Sequence, residues 1–293
     1  MSGHTRYGIW LALFGVLILT PDTLFMRISG LDGWAMLAWR GVLAGSILLV
    51  AWIVTSSQRS ADVRRLTTST GLGVALCQIF GSALFCLGIA IAPVAIVLFG
   101  VATVPICAGI FSFLFAGERT RSATWVTTAL VLIGISIAVL GGEDGGLALT
   151  TSVVVGAICG LAVAASLAFS FVIIRRDSDI PILLVIGAGS LAAGFLGLVI
   201  GGTDELFTGP VWAIAISGGI ILPASFFLMS LASRHTAPTN VSLIMLLETV
   251  IGPIWVWAGY DEVITVPMFI GGAIVIISLA IYIRHTARRD TPG

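Results

Sequence analysis

The stretch LGVALCQIFGSALFCLGIAIAPVAIVLFGVATVPICAGIFSFLF, residues 72–115, is apolar almost without interruption. A helix that crosses a hydrocarbon core of roughly 30 Å needs about 20 such residues at 1.5 Å rise each. The stretch is too long for one span and fits two. Pro93 supplies the break, because it has no N–H to donate and disfavours helical geometry at Ala92. The reading is a tight helical hairpin in lipid, where only helices and closed barrels satisfy every backbone polar group.

The same apolar pattern continues in both directions. Ten spans are expected, at about Tyr7–Met26, Trp34–Thr55, Gly71–Ile91, Val94–Ala116, Ala123–Leu140, Thr151–Ile174, Ile182–Ile200, Val211–Leu231, Thr239–Ala258 and Pro267–Ile283. The composition agrees: 58% of the 293 residues are apolar and only 10% charged, against roughly a quarter charged in soluble domains, and the mean hydropathy is +1.13. The 14 basic residues are all Arg and are balanced by 14 acidic ones, which speaks against polybasic nucleic-acid binding and against a large solvated domain. Cys77, Cys86, Cys107 and Cys159 fall inside apolar runs without the paired spacing of a metal or redox site. The glycines at Gly41 and Gly45, Gly156 and Gly160, and Gly197 and Gly201 have the GxxxG spacing that lets helix backbones approach in lipid.

Orientation follows from the Arg residues, since cytoplasmic loops retain them and translocated loops do not. One set of alternate connections holds Arg6, Arg59, Arg64, Arg65, Arg119, Arg121, Arg175, Arg176, Arg234, Arg284, Arg288 and Arg289; the other holds only Arg27, and Arg40 lies within a span. Both termini are therefore expected in the cytoplasm, in a multi-pass protein of the inner or cytoplasmic membrane. The opposite loops carry Asp32, Glu143, Asp144, Asp204, Glu205, Asp261 and Glu262. The first span has no small-residue cleavage site after Met26, and its retention as a signal anchor is expected.

The two halves resemble each other at an offset of 144 residues. FAGERTRSATW (115–125) enters the fifth span as WAGYDEVITVPMF (257–269) enters the tenth, with Glu118 answering Glu262. Ala92 and Pro93 fall within one residue of Ala237 and Pro238 on the same offset. Five spans per half is an odd number, so the copies must run in opposite directions through the membrane. Inverted repeats of this kind are a signature of secondary transporters. The chain thus divides into residues 7–141 and 150–285 as two five-helix repeats, with 1–6 and 286–293 as cytoplasmic tails.

At these residues the sequence resembles the drug/metabolite transporter superfamily, specifically its EamA-type members. The best-matching stretches are APVAIVLFGVATVPICAGIFSFLFAGERTRSATWVTTALVLIGISIAVLGG (92–142) and APTNVSLIMLLETVIGPIWVWAGYDEVITVPMFIGGAIVIISLAIYI (237–283). The family pattern is a helix with a central proline, a Gly-Glu step and a glycine-dotted helix. Pro105, Gly117 and Glu118 follow it. The second copy keeps Glu248 but has Thr249 in the proline place, with Tyr260 and Asp261 before Glu262. The first helix has ILTPDTLFMR (18–27) where the family commonly has a tryptophan-serine step. The resemblance implies an all-α integral membrane fold of ten transmembrane helices in two inverted repeats, and transport of small organic solutes such as amino acids, metabolites or toxic compounds.

Few polar groups lie inside the spans. Glu248 is expected about 14 Å into the ninth, near the midplane, where a charge costs on the order of +3 kcal/mol and usually faces a wet cavity or the bundle interior. It is either a site for a proton or a substrate amine, or a structural carboxyl joining two helices. Asp22 and Arg40 lie about 6 and 9 Å below the same face, at depths that allow a pair; this is either a gate or zwitterion site, or a structural ion pair beside the Pro21 kink. Gln78 and Ser82 share one helix face, as do Ser166 and Ser170. Thr103 precedes Pro105, and Ser225 follows Pro223. Trp39, Phe85, Phe226, Phe227 and Trp255 are either cavity walls or packing anchors. Pro21, Pro105 and Pro223 are the expected helix breaks.

Enzymatic readings lack their required groups. His4, His235 and His285 all lie at the cytoplasmic edge, and there is no HExxH, GxSxG or Walker sequence. No enzyme activity, cofactor or metal is expected. The favoured reading is a secondary active transporter working by alternating access, as proton-coupled efflux. The alternatives are an importer or exchanger of the same fold, or a channel-like or sensory membrane protein. The expected partners are a small-molecule solute, the lipid bilayer and protons as coupling ion, and not nucleic acid; the sequence sets no oligomeric state.

Overall fold

The computed structural model describes residues 2–92, 94–118, 120–140, 151–260 and 266–289. Pro93, Arg119, Glu143, Asp144, Asp261 and Glu262, on which parts of the sequence reading rest, lie outside the described residues.

Among the described residues the chain forms α1 (Ser2–Leu19), α2 (Asp22–Ser29), α3 (Gly33–Thr55), α4 (Arg59–Leu66), α5 (Ser69–Ile91), α6 (Val94–Val101), α7 (Val104–Ala116), α8 (Ser122–Leu140), α9 (Thr151–Arg176) and α10 (Ile182–Gly201). A 3-10 turn at Asp204–Phe207 leads to α11 (Val211–Ile216), a π-helical segment at Ser217–Ile221, α12 (Leu222–His235), α13 (Pro238–Met245), α14 (Glu248–Tyr260) and α15 (Val266–Arg289). No strand occurs among the described residues. Seven helical runs are long and apolar enough to cross a membrane, and Ser122–Ile137, Pro238–Gly252 and Phe269–Tyr282 are shorter apolar runs. The all-helical membrane class expected from hydropathy is the one observed.

Several expected spans are not single helices. The first is divided between α1 and α2 at Thr20 and Pro21. Pro21 has no N–H for the carbonyl of Leu17, and the Thr20 hydroxyl donates to that carbonyl instead at 2.9 Å. The fourth is divided at Ala102 and Thr103. Pro105 sits in the first turn of α7, and the Thr103 hydroxyl donates to the Gly100 carbonyl at 2.7 Å. The ninth span, read as one helix, is divided at Leu246 and Leu247 without a proline at the break. There Leu246, Leu247, Thr249 and Val250 N–H groups bond three residues back instead of four, a tightening into 3-10 geometry. The eighth span is not interrupted at Pro223; the chain winds continuously from α11 through the π turn, where the Leu222 N–H reaches the Ser217 carbonyl, and Pro223 sits in the first turn of α12.

Packing follows the small residues. With hydrocarbon on all sides, helices associate by close van der Waals contact, and α3 meets α10 where a Cβ on Gly41 would stand 2.4 Å from the Gly194 nitrogen and one on Gly45 2.5 Å from the Leu191 nitrogen. Gly197 and Gly201 continue this seam against Ala38 and Trp34, and Gly156 and Gly160 admit Ala92 and Val97 to α9. Elsewhere α8 packs along α15, α5 along α9, and α1 along α12. A central cluster of buried side chains, including Val16, Phe171, Met229 and Ile244, joins α1, α9, α12 and α13. The short helix α4, which hydropathy did not mark, buries none of its residues; Asp62 anchors it by accepting from Trp52 Nε1 at 2.8 Å and Ser56 Oγ at 2.5 Å.

Candidate functional site

The interrupted helices bring together the charges that lie inside the membrane. Asp22 is the first residue of α2, Glu248 the first of α14, and Ser217 the first of the π segment, while Arg40 projects from the middle of α3. Arg40 Nη1 donates to Asp22 Oδ1 at 2.9 Å and Oδ2 at 2.8 Å, and to Ser217 Oγ at 2.7 Å. Ser217 Oγ donates in turn to Asp22 Oδ1 at 2.5 Å. Asp22 and Arg40 expose only 1% and 6% of their surface, so each ion has left water at a cost of several kcal/mol, offset by direct pairing and by the shared hydroxyl. Placement of Asp22 in the first turn of α2 also sets its charge against the positive end of that helix. Gly218 makes the contact close, since a Cβ there would lie 2.8 Å from Arg40 Cα.

Glu248 is buried and within electrostatic reach of both Asp22 and Arg40. Its carboxylate has no hydrogen-bond partner among the described residues. It lies at the start of a half-helix, not nine residues into a continuous one as its sequence depth implied.

All three ionisable groups line a cavity of about 80 Å³, room for several waters by the usual measure. One face of α3, from Leu37 through Arg40, Gly41 and Ala44 to Leu48, follows it, a length of about 16 Å at helical rise. Gln78 and Ser82 line it from α5, Ser166 and Ser170 from α9, Ser190 from α10, and Phe85 and Phe226 form aromatic walls. Gln78 Nε2 donates to Ser82 Oγ at 3.3 Å and to Ser190 Oγ at 3.2 Å. Both amide hydrogens are then used, leaving the carbonyl oxygen as an acceptor. Ser166 is satisfied within its own helix by the Ala162 carbonyl at 2.9 Å. Arg40 Cζ stands 5.8 Å from the Phe85 ring centroid, in cation–π range.

Four of the expected lining residues lie elsewhere. Trp39 is next to Arg40 in sequence but points off the cavity: its Nε1 donates to the Leu206 carbonyl at 2.9 Å, and its ring meets Phe207 edge-on at 5.8 Å. One residue is 100° of helix rotation, enough to separate cavity wall from anchor. Thr103 spends its hydroxyl on its own turn and does not line the cavity. Neither Phe227 nor Trp255 lines it; Trp255 Nε1 donates to Thr20 Oγ1 at 3.1 Å and ties α14 to the break in α1.

Sequence reasoning missed Ser217 and Ser190. Both are single hydroxyls in apolar runs and carry no motif. A second buried network was also missed: Tyr282 OH donates to Asn240 Oδ1 at 2.5 Å and shares a 3.0 Å hydrogen bond with Thr124, while Asn240 Nδ2 donates to Thr236 Oγ1 at 2.7 Å. It links α8, α13 and α15. Among the described residues no three His, Cys, Asp or Glu side chains converge as metal ligands.

A family model matches residues 6–140 of this sequence, and its description is the EamA-like transporter family. Residues 6–140 belong to the EamA-like transporter family. That family is part of the drug/metabolite transporter superfamily, and the match together with the apolar helices supports a multi-pass membrane protein. The family implies a small-molecule solute and the lipid bilayer as partners. No curated protein matches the chain. Among solved structures, one described as "Crystal structure of protein" is similar in fold, with a TM-score of 0.76 and 16% identity over 98% of this chain and 99% of that one. At that identity the likeness concerns fold alone.

Proposed function

We propose that this EamA protein is a ten-span secondary active transporter that moves a small organic solute across the cytoplasmic membrane by alternating access, as proton-coupled efflux. The observation that carries the reading is the cavity between the two halves, lined by Asp22, Arg40 and Gln78 from one and Ser190 and Glu248 from the other. Transporter sites built from discontinuous helices near the midplane have this character.

The inverted repeat of residues 7–141 and 150–285 is supported by the breaks themselves. Ala102 and Thr103 in the first half and Leu246 and Leu247 in the second stand 144 residues apart, the offset at which Glu118 answers Glu262. Exchange of halves also maps the packing of α5 on α9 onto that of α12 on α1, and leaves the pairs α3 with α10 and α8 with α15 unchanged. The Arg distribution supports a cytoplasmic location for both termini, with residues 1–6 and 286–293 as tails.

In this reading Glu248 takes the coupling proton, and the Asp22–Arg40–Ser217 cluster closes one mouth of the cavity. The test is counterflow and gradient-driven flux of labelled amines and amino acids in proteoliposomes. A carrier shows trans-stimulation, which a channel does not. Glu248→Gln is expected to abolish flux driven by a proton gradient while the protein remains monodisperse; unchanged flux in that variant rejects the coupling role.

A further inference from the structure

The charges around the cavity also constrain the solute. The charge of Arg40 is paired within the protein, its Nη1 being held by both Asp22 oxygens and by Ser217. The buried pair therefore cancels its own charge. Glu248 has no such partner, and among the described residues no other charged side chain lines the cavity. When Glu248 has released its proton, two carboxylates against one guanidinium leave the site with one negative charge in excess. The neutral lining adds acceptors and apolar surface: the Gln78 carbonyl oxygen is left open after its amide hydrogens go to Ser82 and Ser190, and Phe85 and Phe226 flank it.

We propose that the cavity selects a monocationic organic solute, an ammonium group on an apolar or aromatic body without a carboxylate of its own, with the ammonium on Glu248 and the body along Phe85 and Phe226. A carboxylate would meet Glu248 and Asp22 with Arg40 already neutralised, and like charges in a desolvated site are costly. An ammonium removes the excess charge and gains from the aromatic faces. A zwitterionic amino acid gains at one end and loses at the other. The inference rests on the reading of this cavity as the transport site.

The test compares phenethylamine, phenylalanine and 3-phenylpropionate by ligand-dependent thermal stabilisation of the full chain purified in detergent. These probes share one aromatic body and differ in charge. Phenethylamine is expected to stabilise the protein at millimolar concentration, phenylalanine to need at least about tenfold more, and 3-phenylpropionate to give no shift. Glu248→Gln is expected to remove the phenethylamine shift, and Glu248→Asp, which keeps the charge, to retain part of it. Asp22→Asn combined with Glu248→Gln leaves Arg40 as the one charged group of the three and is expected to create a response to 3-phenylpropionate. The proposal is overturned if phenylalanine or 3-phenylpropionate matches phenethylamine on the unaltered chain, if the phenethylamine shift survives Glu248→Gln, or if phenethylamine gives no shift at all. These are equilibrium measurements without a gradient, so they fail independently of the counterflow experiment, which decides whether the protein is a carrier.

Discussion

Arg40 Nη1 lies 2.8 Å from Asp22 Oδ2 and 2.9 Å from Oδ1, across eighteen residues of chain and at the point where the first span breaks. The break is what makes the contact available. With Pro21 ending the α1 ladder, Asp22 begins a new helix and its side chain turns inward to α3, where Ser217 from the second half completes the cluster. An ion pair so deeply buried costs more to break than to replace.

Asp22→Ala leaves the Arg40 guanidinium buried beside one hydroxyl. It is expected to destabilise the fold by about 3–5 kcal/mol, read as a large fall in melting temperature in detergent. The double variant Asp22→Leu with Arg40→Met removes both charges together and is expected to recover most of that loss while abolishing flux. A double variant no more stable than Asp22→Ala would show that the charges are not each other's principal partners.

Ser217→Ala removes the bridge but not the pair. Two charge-assisted hydrogen bonds are lost, and stability is expected to fall by about 1–3 kcal/mol. Ser217→Thr keeps the hydroxyl and is expected to restore transport if the added methyl is accommodated against α3.

Gly41→Ala is expected to destabilise by about 1–3 kcal/mol or more, because its Cβ meets the Gly194 backbone at 2.4 Å and neither backbone has room to retreat. Gly73→Ala is the control, since the nearest atom there is a Phe169 ring carbon at 3.5 Å. Equal melting temperatures for the two variants would contradict the closeness of the α3–α10 seam.

Asn240→Leu takes both partners from one network, leaving Tyr282 OH with Thr124 and freeing Thr236 Oγ1. A loss of about 1–3 kcal/mol is expected. Phenethylamine stabilisation should persist in this variant, because none of these residues lines the cavity.

Trp39→Phe separates anchor from site. It deletes the hydrogen bond to the Leu206 carbonyl but leaves the ring, and a destabilisation of about 1 kcal/mol is expected with ligand response unchanged. A selective loss of ligand response would return Trp39 to the cavity.

The spans were legible because length and hydropathy are local properties. The apolar runs end where the helices end within a few residues, as at Thr55 and Ile91. Pro21 and Pro105 marked two of the breaks, since the missing N–H is written in the residue itself. The break at Leu246 carries no such mark; nothing in LIMLLET distinguishes it from continuous helix, and its equivalence to the break at Ala102 emerges only from the structure. Depth along a helix was equally countable, which is why Asp22 and Arg40 were expected at depths that allow a pair.

The sequence by itself determined a helical membrane protein, the position of its spans and the scarcity of charges within them, because those follow from how many apolar residues stand in a row. The tertiary structure decided which polar groups meet. Counting residues sets how deep a side chain lies, but its direction around the helix depends on which neighbour the helix packs against. That is why Arg40 faces Asp22 and a serine 177 positions away, Gln78 reaches Ser190, and Trp39, one residue from Arg40, turns off the cavity to Leu206. Packing of α3 against α10 and the π segment fixed the directions of Trp39 and Arg40.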